Sequence, residues 1–524
     1  MTANDITPSE PKRQKTLASI PKELAAKLRA KQQQHVLKFY EAGRLQDNQV
    51  GQLREQLEGL DLDFLQSIFE ASTSAHVQES QQQKETIEPL EQYDLLEECA
   101  SEDKTKWFAR GLEAISNGEV AALVLSGGQG TRLGFSGPKG MYDIGLPSEK
   151  SLFQLFTERI LRLQALANEK FPSDNSAVIP FFVMTSPMNH DETVRYFRDK
   201  QFFGLLESQM FFFQQGTLPC FTTEGKLILE NAHTLATASD GNGGIYKALA
   251  TSGALERMKS GGVKYLHVFS VDNALCKAAD PLFIGYCIDK NADCANKVVW
   301  KSRPDESVGV VAKKNGKFCI IEYSEMDKAS CERVNPSNGK LAFGAANICN
   351  HFYTIDFLVD VVLPNLSLEY HVAHKKIPIA DENGETYTPS ANSGIKLESF
   401  IFDVFPLSSR MAVLSVPRET EFAPVKNPPG TPVDSPESAR KMLCNESKAW
   451  LAAAAQQVLS PQEYRDFVSE KLDRAETIEI SPLVSYNGEG LASHVSALNE
   501  SLAKQILQLE SKDCSGSGES PPRL

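Results

Sequence analysis

The 524-residue chain is 41% hydrophobic and carries a formal net charge of -14, enough apolar material for a large core and two or three domains. That acidic balance excludes an extended nucleic-acid surface or attraction to an anionic membrane, because both need a broad basic field. No run approaches the roughly 18 apolar residues of a membrane span, and the opening MTANDITPSEPKRQKTLASIPKE lacks the apolar centre of a signal peptide.

Residues 1–100 are rich in Gln, Glu, Leu and Lys, and the spacing in PKELAAKLRAKQQQHVLKFYEAG and QVGQLREQLEGLDLDFLQSIFEAS predicts a helical N-terminal region. The polar HVQESQQQKETIEPLEQ reads as a linker or a partly exposed helix. In residues 101–410 short β-branched or aromatic runs alternate with helix-length segments: Val120–Leu125, Ala177–Met184, Met210–Gln215, Tyr265–Val271, Lys297–Trp300 and Val308–Ala312. This texture predicts an α/β central domain, Rossmann-like, with a mainly parallel mixed sheet and crossover helices. Leu152, Leu155, Phe156, Ile160 and Leu163 mark the core-facing stripe of one such helix. Residues 411–510 lose the alternation; a helix over Lys441–Val458 is expected there, within a small C-terminal domain. Residues 511–524 end in the Gly/Ser/Pro-rich DCSGSGESPPRL and predict a disordered tail. Ten cysteines without a C-x-x-C pair fit reduced thiols in a cytoplasmic protein.

Four glycines fall within eight residues of LSGGQGTRLGFSGPK, residues 125–139, directly after an apolar run. Glycines let main-chain N–H groups approach a ligand that a Cβ would push away. A Walker loop would need Gly-Lys-Ser/Thr, yet the chain has Lys139-Gly140; a dinucleotide fingerprint would need glycine where Leu133 stands. Two readings remain. Either the loop wraps nucleotide phosphates, with Arg132 and Lys139 as fixed charge, or it is a glycine-rich turn with two solvated cations.

Other positions have chemistry of their own. Asp272 follows the apolar YLHVFSV, where a carboxylate can hold Mg²⁺ against phosphate or cap the next turn. Asn242, in SDGNGGIYKAL, offers a donor and an acceptor that suit a uracil edge, or sits in a plain Gly/Asn turn. Gln214 and Gln215 follow an aromatic run and face a base or sugar, or solvent. Glu322 and Asn347 are of the type that grips sugar hydroxyls and an acetamido group. Lys396 and Lys426 are candidate phosphate contacts or solvated lysines. His371 and His374, one helical turn apart, have no further ligands for tetrahedral zinc.

Taken with FFQQGTLP, DGNGGIYKAL, VDNAL, ADPLFIG, VGVV, IEYSE, AANICNHF, NSGIKLESFIFDVF, EFAPVKN and ISPLVSYNGEGL, the glycine loop resembles the eukaryotic UDP-N-acetylhexosamine pyrophosphorylases, relatives of the UDP-sugar pyrophosphorylases, over roughly residues 100–490. The resemblance implies that Gly127 and Gly128 contact the nucleotide through their backbones and that Arg132 and Lys139 hold the UTP phosphates. It places Gln215, Gly241 and Asn242 around uridine and the sugar side, and Asp272 by the metal and phosphates. Gly309, Glu322 and Asn347 would bind the amino sugar, while Lys396 and Lys426 would neutralise phosphate, Lys426 as part of the catalytic set with Arg132 and Lys139. Ser126 stands where the family more often has Ala, and Ala346 where a glycine is usual, which would tighten the sugar pocket.

The activity so implied is reversible, Mg²⁺-dependent uridylyl transfer from UTP to N-acetylglucosamine 1-phosphate. Its partners are these small molecules, with no nucleic acid or membrane; the oligomeric state stays open. Two alternatives stand beside it: a pyrophosphorylase for N-acetylgalactosamine 1-phosphate or glucose 1-phosphate, and a catalytically silent nucleotide-sugar binding protein. The last residues, Pro522-Arg523-Leu524, faintly resemble the Ser-Lys-Leu address to peroxisome-like organelles, a second reading beside a cytoplasmic one.

Overall fold

The structure, a computed structural model, describes residues 19–78, 86–172, 176–366, 370–495 and 507–509. The expected disordered tail and the terminal tripeptide lie outside the described residues, as does part of the polar linker. Backbone proximity divides the chain into two units, one from Met1–Gln82, Thr217–Gly241 and Glu369–Ser399, the other from Gln83–Gly216, Asn242–Leu368 and Phe400–Leu524. The segments interleave, whereas a partition read along the sequence runs in consecutive blocks.

The larger unit is built on one sheet. Its strands are β1 (Val120–Leu125), β2 (Phe181–Thr185), β3 (Met210–Gln214), β4 (Tyr265–Ser270), β5 (Cys294–Trp300), β6 (Val310–Lys314), β7 (Lys317–Ile321), β8 (Ala345–Thr354) and β9 (Met411–Val416). They lie in the order β3-β2-β1-β4-β8-β5-β9, with the short strand Asp94–Leu95 beyond β9. Neighbours are parallel except β8, which runs antiparallel to both β4 and β5. The β6–β7 hairpin branches from β8, where Val310 pairs Ala346. β1 and β2 are buried at every residue, which is why both read as unbroken apolar runs rather than alternating ones: helices and loops cover both faces.

All six expected strands are present, shifted at most a few residues at their ends. One element is placed differently. β9 lies in the stretch that sequence texture gives to the C-terminal block, yet it completes the central sheet by parallel pairing with β5. That pairing is a contact across more than a hundred residues, and nothing in local composition encodes it.

Four helices matter for the site: α1 (Ser101–Ser116), α2 (Leu152–Lys170), α3 (Pro281–Asp289) and α4 (Pro436–Val458). Ser151 caps α2 by accepting from the Gln154 N–H at 3.2 Å. The predicted stripe of α2 is buried throughout; at about 1.5–3 kcal/mol per large apolar side chain, it anchors the helix to the sheet. Where α1 crosses α3, a Cβ on Gly111 would lie 1.9 Å from the Pro281 carbonyl, and one on Gly285 1.8 Å from that of Trp107. Only glycines permit that approach. C-terminal to β9, α4 and the strand Ile478–Ile480 share a separate apolar cluster around Leu451, Phe467, Leu472 and Leu491.

In the smaller unit the helices Lys22–Ala30, Asp47–Glu58 and Leu62–Gln78 contribute Leu28, Leu53, Leu57 and Leu65 to a core shared with Phe221, Leu235, Ile395 and Leu397. His371 and His374 lie on a strand, His371–Lys375, paired antiparallel with Gly394–Glu398. Three residues apart on a strand, they point to opposite faces, so the helical-turn spacing does not apply. Among the described residues no group of three or more His, Cys, Asp or Glu side chains is arranged to hold a metal, none forms a disulfide, and no helix is long and apolar enough to cross a membrane.

Candidate active site

The glycine loop leaves the carboxyl end of β1 and folds back on itself. Gly130 N donates to Gly137 O at 3.0 Å, Lys139 N to Gly128 O at 3.2 Å, and Gln129 bridges Pro138. Gly134 closes the turn at φ +73°. A Cβ on Gly127 would fall 2.9 to 3.0 Å from the Gln215 side-chain amide, while one on Gly128 would meet nothing within 4 Å. The loop is thus walled by Gln215 on one side and open at Gly128. Ser126, the departure from alanine, is buried with a hydroxyl that has no hydrogen-bond partner.

Lys139 reaches from this loop toward Asp272, just past β4; its Nζ lies 3.8 Å from Oδ2, both side chains being 16% exposed. Burial lowers the Lys139 pKa, Asp272 works against that, and the positive charges of Lys426 and Arg132 reinforce it. Three cations drawn from two separated loops therefore share one electrostatic neighbourhood with Asp272, and Asp434 lies within electrostatic reach of Lys426 and Asp272. Such an arrangement is unfavourable by itself and is relieved by an anion.

Lys426 is brought there by backbone pairing. Val425 N donates to Asp272 O at 2.9 Å, Ala274 N to Ala423 O at 3.0 Å, and Asn273 bridges Pro424. Asn273, 2% exposed, ties the two segments: its Nδ2 donates to Glu421 O at 2.8 Å and its Oδ1 accepts from Ala423 N at 2.9 Å.

On the neighbouring strand a register shift in β8 opposite Asn296 and Val298, with Cys349 at φ +52°, turns the chain beside Asn347. Asn347 N donates to Gly309 O at 2.9 Å, and a Cβ on Gly309 would fall 2.9 Å from Glu322 Oε1. Gly309, Glu322 and Asn347 are therefore adjacent, a convergence that sequence alone leaves open. Burial pushes the Cys349 thiol up to about 12, Asp272 adds to the shift and Lys426 opposes it, which sets this group next to the cation cluster. Ala346 does not narrow the pocket: it is fully buried in the apolar core, so its methyl is a packing group.

Asn242 turns its side-chain oxygen to the Ile401 N–H at 3.0 Å. Gly241 and Lys396 belong to the smaller unit. Gly241 has φ +91° and a Cβ there would lie 2.1 Å from Ser399 O; Lys396 pairs with Glu398 at 2.7 Å.

Behind Asp272 lies a buried charge cluster that sequence reading missed. Lys297 Nζ is 2.5 Å from Asp280 Oδ2 and 3.0 Å from Glu421 Oε2, and Lys277 Nζ is 3.0 Å from Glu421 Oε1. Burial alone would lower the Lys297 pKa, but Asp280 and Glu421 outweigh it and raise it. A signal was available: Lys297 opens the apolar KVVW run, an odd place for a lysine unless it is paired.

At the edge of this cluster, Glu446 on α4 is 7% exposed and one of its carboxylate oxygens has no partner. Burial pushes its carboxyl up from 4.5 to about 7, only partly offset by Lys277 and Arg159, with Glu421 adding to the rise. Because the folded-state pKa is raised, the destabilisation is absent below pH 4.5, grows through 7 and is complete above it. Glu446→Gln is expected to stabilise the protein by about 3 kcal/mol at pH 8.5 and by almost nothing near pH 4.5. Urea unfolding at the two pH values measures the difference; an equal effect at both would assign the carboxyl an ordinary pKa.

Residues 62–474 match the family described as UTP–glucose-1-phosphate uridylyltransferase. The chain belongs to the UTP–glucose-1-phosphate uridylyltransferase family. Within this uridylyltransferase family it is similar to a UDP-N-acetylhexosamine pyrophosphorylase-like protein of Xenopus tropicalis, 42% identical over 84% of this chain and 88% of the other. A UDP-N-acetylglucosamine pyrophosphorylase of Saccharomyces cerevisiae is 42% identical over 75% of this chain and 79% of its own. Among solved structures, the UDP-N-acetylglucosamine pyrophosphorylase of Trypanosoma brucei in complex with inhibitor superposes with a TM-score of 0.82, at 30% identity over 95% of this chain and all of that one.

Proposed function

We propose that this uridylyltransferase converts UTP and N-acetylglucosamine 1-phosphate to UDP-N-acetylglucosamine and pyrophosphate, reversibly. The observation that carries it is the placing of Lys139 and the Lys426 segment beside Asp272, with Arg132 in electrostatic reach of Lys139 and the adjacent Gly309, Glu322 and Asn347 nearby, in a chain so similar to proteins named for that reaction.

The sugar phosphate is already ionised at neutral pH. Its oxygen attacks the α-phosphorus of UTP in line; the new P–O bond forms as the bond to pyrophosphate breaks, and the electron pair leaves on pyrophosphate. No general base is needed, so the chain's task is positioning and charge stabilisation. Arg132 and Lys139 offset the charge that develops on the departing pyrophosphate, and Lys426 neutralises phosphate beside Asp272. Gln215 and Asn242 orient the uridine end, and Glu322 with Asn347 and the turn at Gly309 grip the acetamido sugar.

A divalent cation fits the donor chemistry here. Asp272 supplies one carboxylate in a polar, partly open setting, and Mg²⁺ is commonly held by one or two carboxylates, substrate phosphates and water. Asp272 would hold such an ion, which would supply positive charge to offset that of the phosphates.

The test is pyrophosphate release by the purified protein with UTP, Mg²⁺ and, in parallel, the 1-phosphates of N-acetylglucosamine, N-acetylgalactosamine and glucose. Highest release with N-acetylglucosamine 1-phosphate supports the reading. Release confined to glucose 1-phosphate would overturn the sugar assignment of Glu322 and Asn347, and no release with any sugar would overturn the activity.

A further inference from the structure

The glycine loop is held from behind by a residue outside the site described above. Asn189, 1% exposed, lies in the connection after β2. Its Nδ2 donates to the Ser126 carbonyl at 3.0 Å and to the Gly128 carbonyl at 3.3 Å. Its Oδ1 accepts from the Ser186 N–H at 2.8 Å and the Ser186 hydroxyl at 3.1 Å. The side chain is thus a closed node between two loops at the carboxyl ends of adjacent strands, with its donor end spent on the glycine loop.

The consequence follows from peptide planarity. In a trans peptide the C=O and the N–H of the next residue point in opposite directions. Drawing the carbonyls of Ser126 and Gly128 toward Asn189 therefore turns the N–H groups of Gly127 and Gln129 to the other face. Alternate amides presented on one side of a short glycine segment form a concavity for an anion, and the space beside Gly128 is open. A second tie, from Gln129 Nε2 to Met188 O at 3.4 Å, joins the same two loops.

We infer that Asn189 is a positioning residue for the triphosphate: it orients the Ser126–Gln129 peptides so that their amides face the nucleotide. The inference rests on the proposed reaction only for the identity of that nucleotide. Asn189 itself touches no substrate and acts through the backbone.

Asn189→Asp replaces the donating NH₂ with an oxygen while keeping shape and the bonds from Ser186. Ser186→Ala is the matched comparison, since it removes a hydrogen bond to the same side chain but leaves both carbonyl contacts in place. UTP binding is measured by calorimetry on the full chain, thermal unfolding alongside, and kcat and KM in the forward assay. Asn189→Asp is expected to raise the Kd and KM for UTP about 10- to 100-fold, with KM for N-acetylglucosamine 1-phosphate within about twofold. Ser186→Ala should lower Tm with no comparable change in UTP binding. If Asn189→Asp does not fold, Asn189→Ala gives the same comparison without the added charge. Wild-type UTP affinity in both Asn189 variants, or an equal loss in Ser186→Ala, overturns the inference. A wild-type protein that binds UTP without turnover overturns the catalytic reading and leaves Asn189 to be decided by the binding comparison; one that binds no UTP overturns both.

Discussion

Lys139→Ala is expected to lower kcat by about two to three orders of magnitude, with a much smaller change in stability. The two expectations have one origin. Lys139 is a largely buried cation whose only described carboxylate contact is 3.8 Å away, and burial, Lys426 and Arg132 all lower its pKa. An ammonium in that position is held at a cost and gains its best partner only when negative charge arrives. Removing it therefore leaves folding almost untouched and withdraws charge stabilisation where pyrophosphate departs. Steady-state kinetics with saturating UTP and sugar phosphate, with Tm recorded on the same preparation, separates the two effects. Turnover near the wild-type rate would remove Lys139 from the chemistry.

Lys297→Met should do the reverse, with a large loss of stability and activity lost only through unfolding. Its Nζ neutralises two carboxylates, Asp280 and Glu421, that are themselves buried. Taking away one member of such a cluster leaves uncompensated charge in the interior, at a cost of about 3–5 kcal/mol. Asp280 also caps α3 through the Leu282 N–H, and Glu421 offers its carbonyl to Asn273, so the damage should spread to both elements. Denaturant unfolding gives the number; a loss under about 1 kcal/mol would mean that Lys277 and solvent take over the role of Lys297.

The centre of the sheet was legible because β1 and β2 are buried on both faces and so read as uninterrupted apolar runs, and α2 was legible because one face is not. The glycine loop and Asp272 stood out since glycine density and a carboxylate after a strand are local signals. What the chain concealed is long-range. Asn273 and Asn189 look like ordinary turn residues, and their roles exist only once segments some 150 and 60 residues away are brought beside them. The adjacency of Gly309, Glu322 and Asn347 depends on the β6–β7 hairpin branching from β8, and β9 is placed by pairing rather than by its own composition.

The position of β9 also dictates when the molecule can be finished. The edge strand Asp94–Leu95 emerges early in synthesis, but its partner in the sheet is Leu414–Ser415, which must leave the ribosome before the edge can dock. Until then β5 has an open flank, and Asp272 lacks the Ala423–Lys426 segment that pairs beside it. The nascent chain can assemble the β1–β4 half of its sheet first, but the cation cluster forms only when the Ala423–Lys426 segment after β9 pairs beside Asp272, so a truncated product retains apolar folded material without a complete phosphate site.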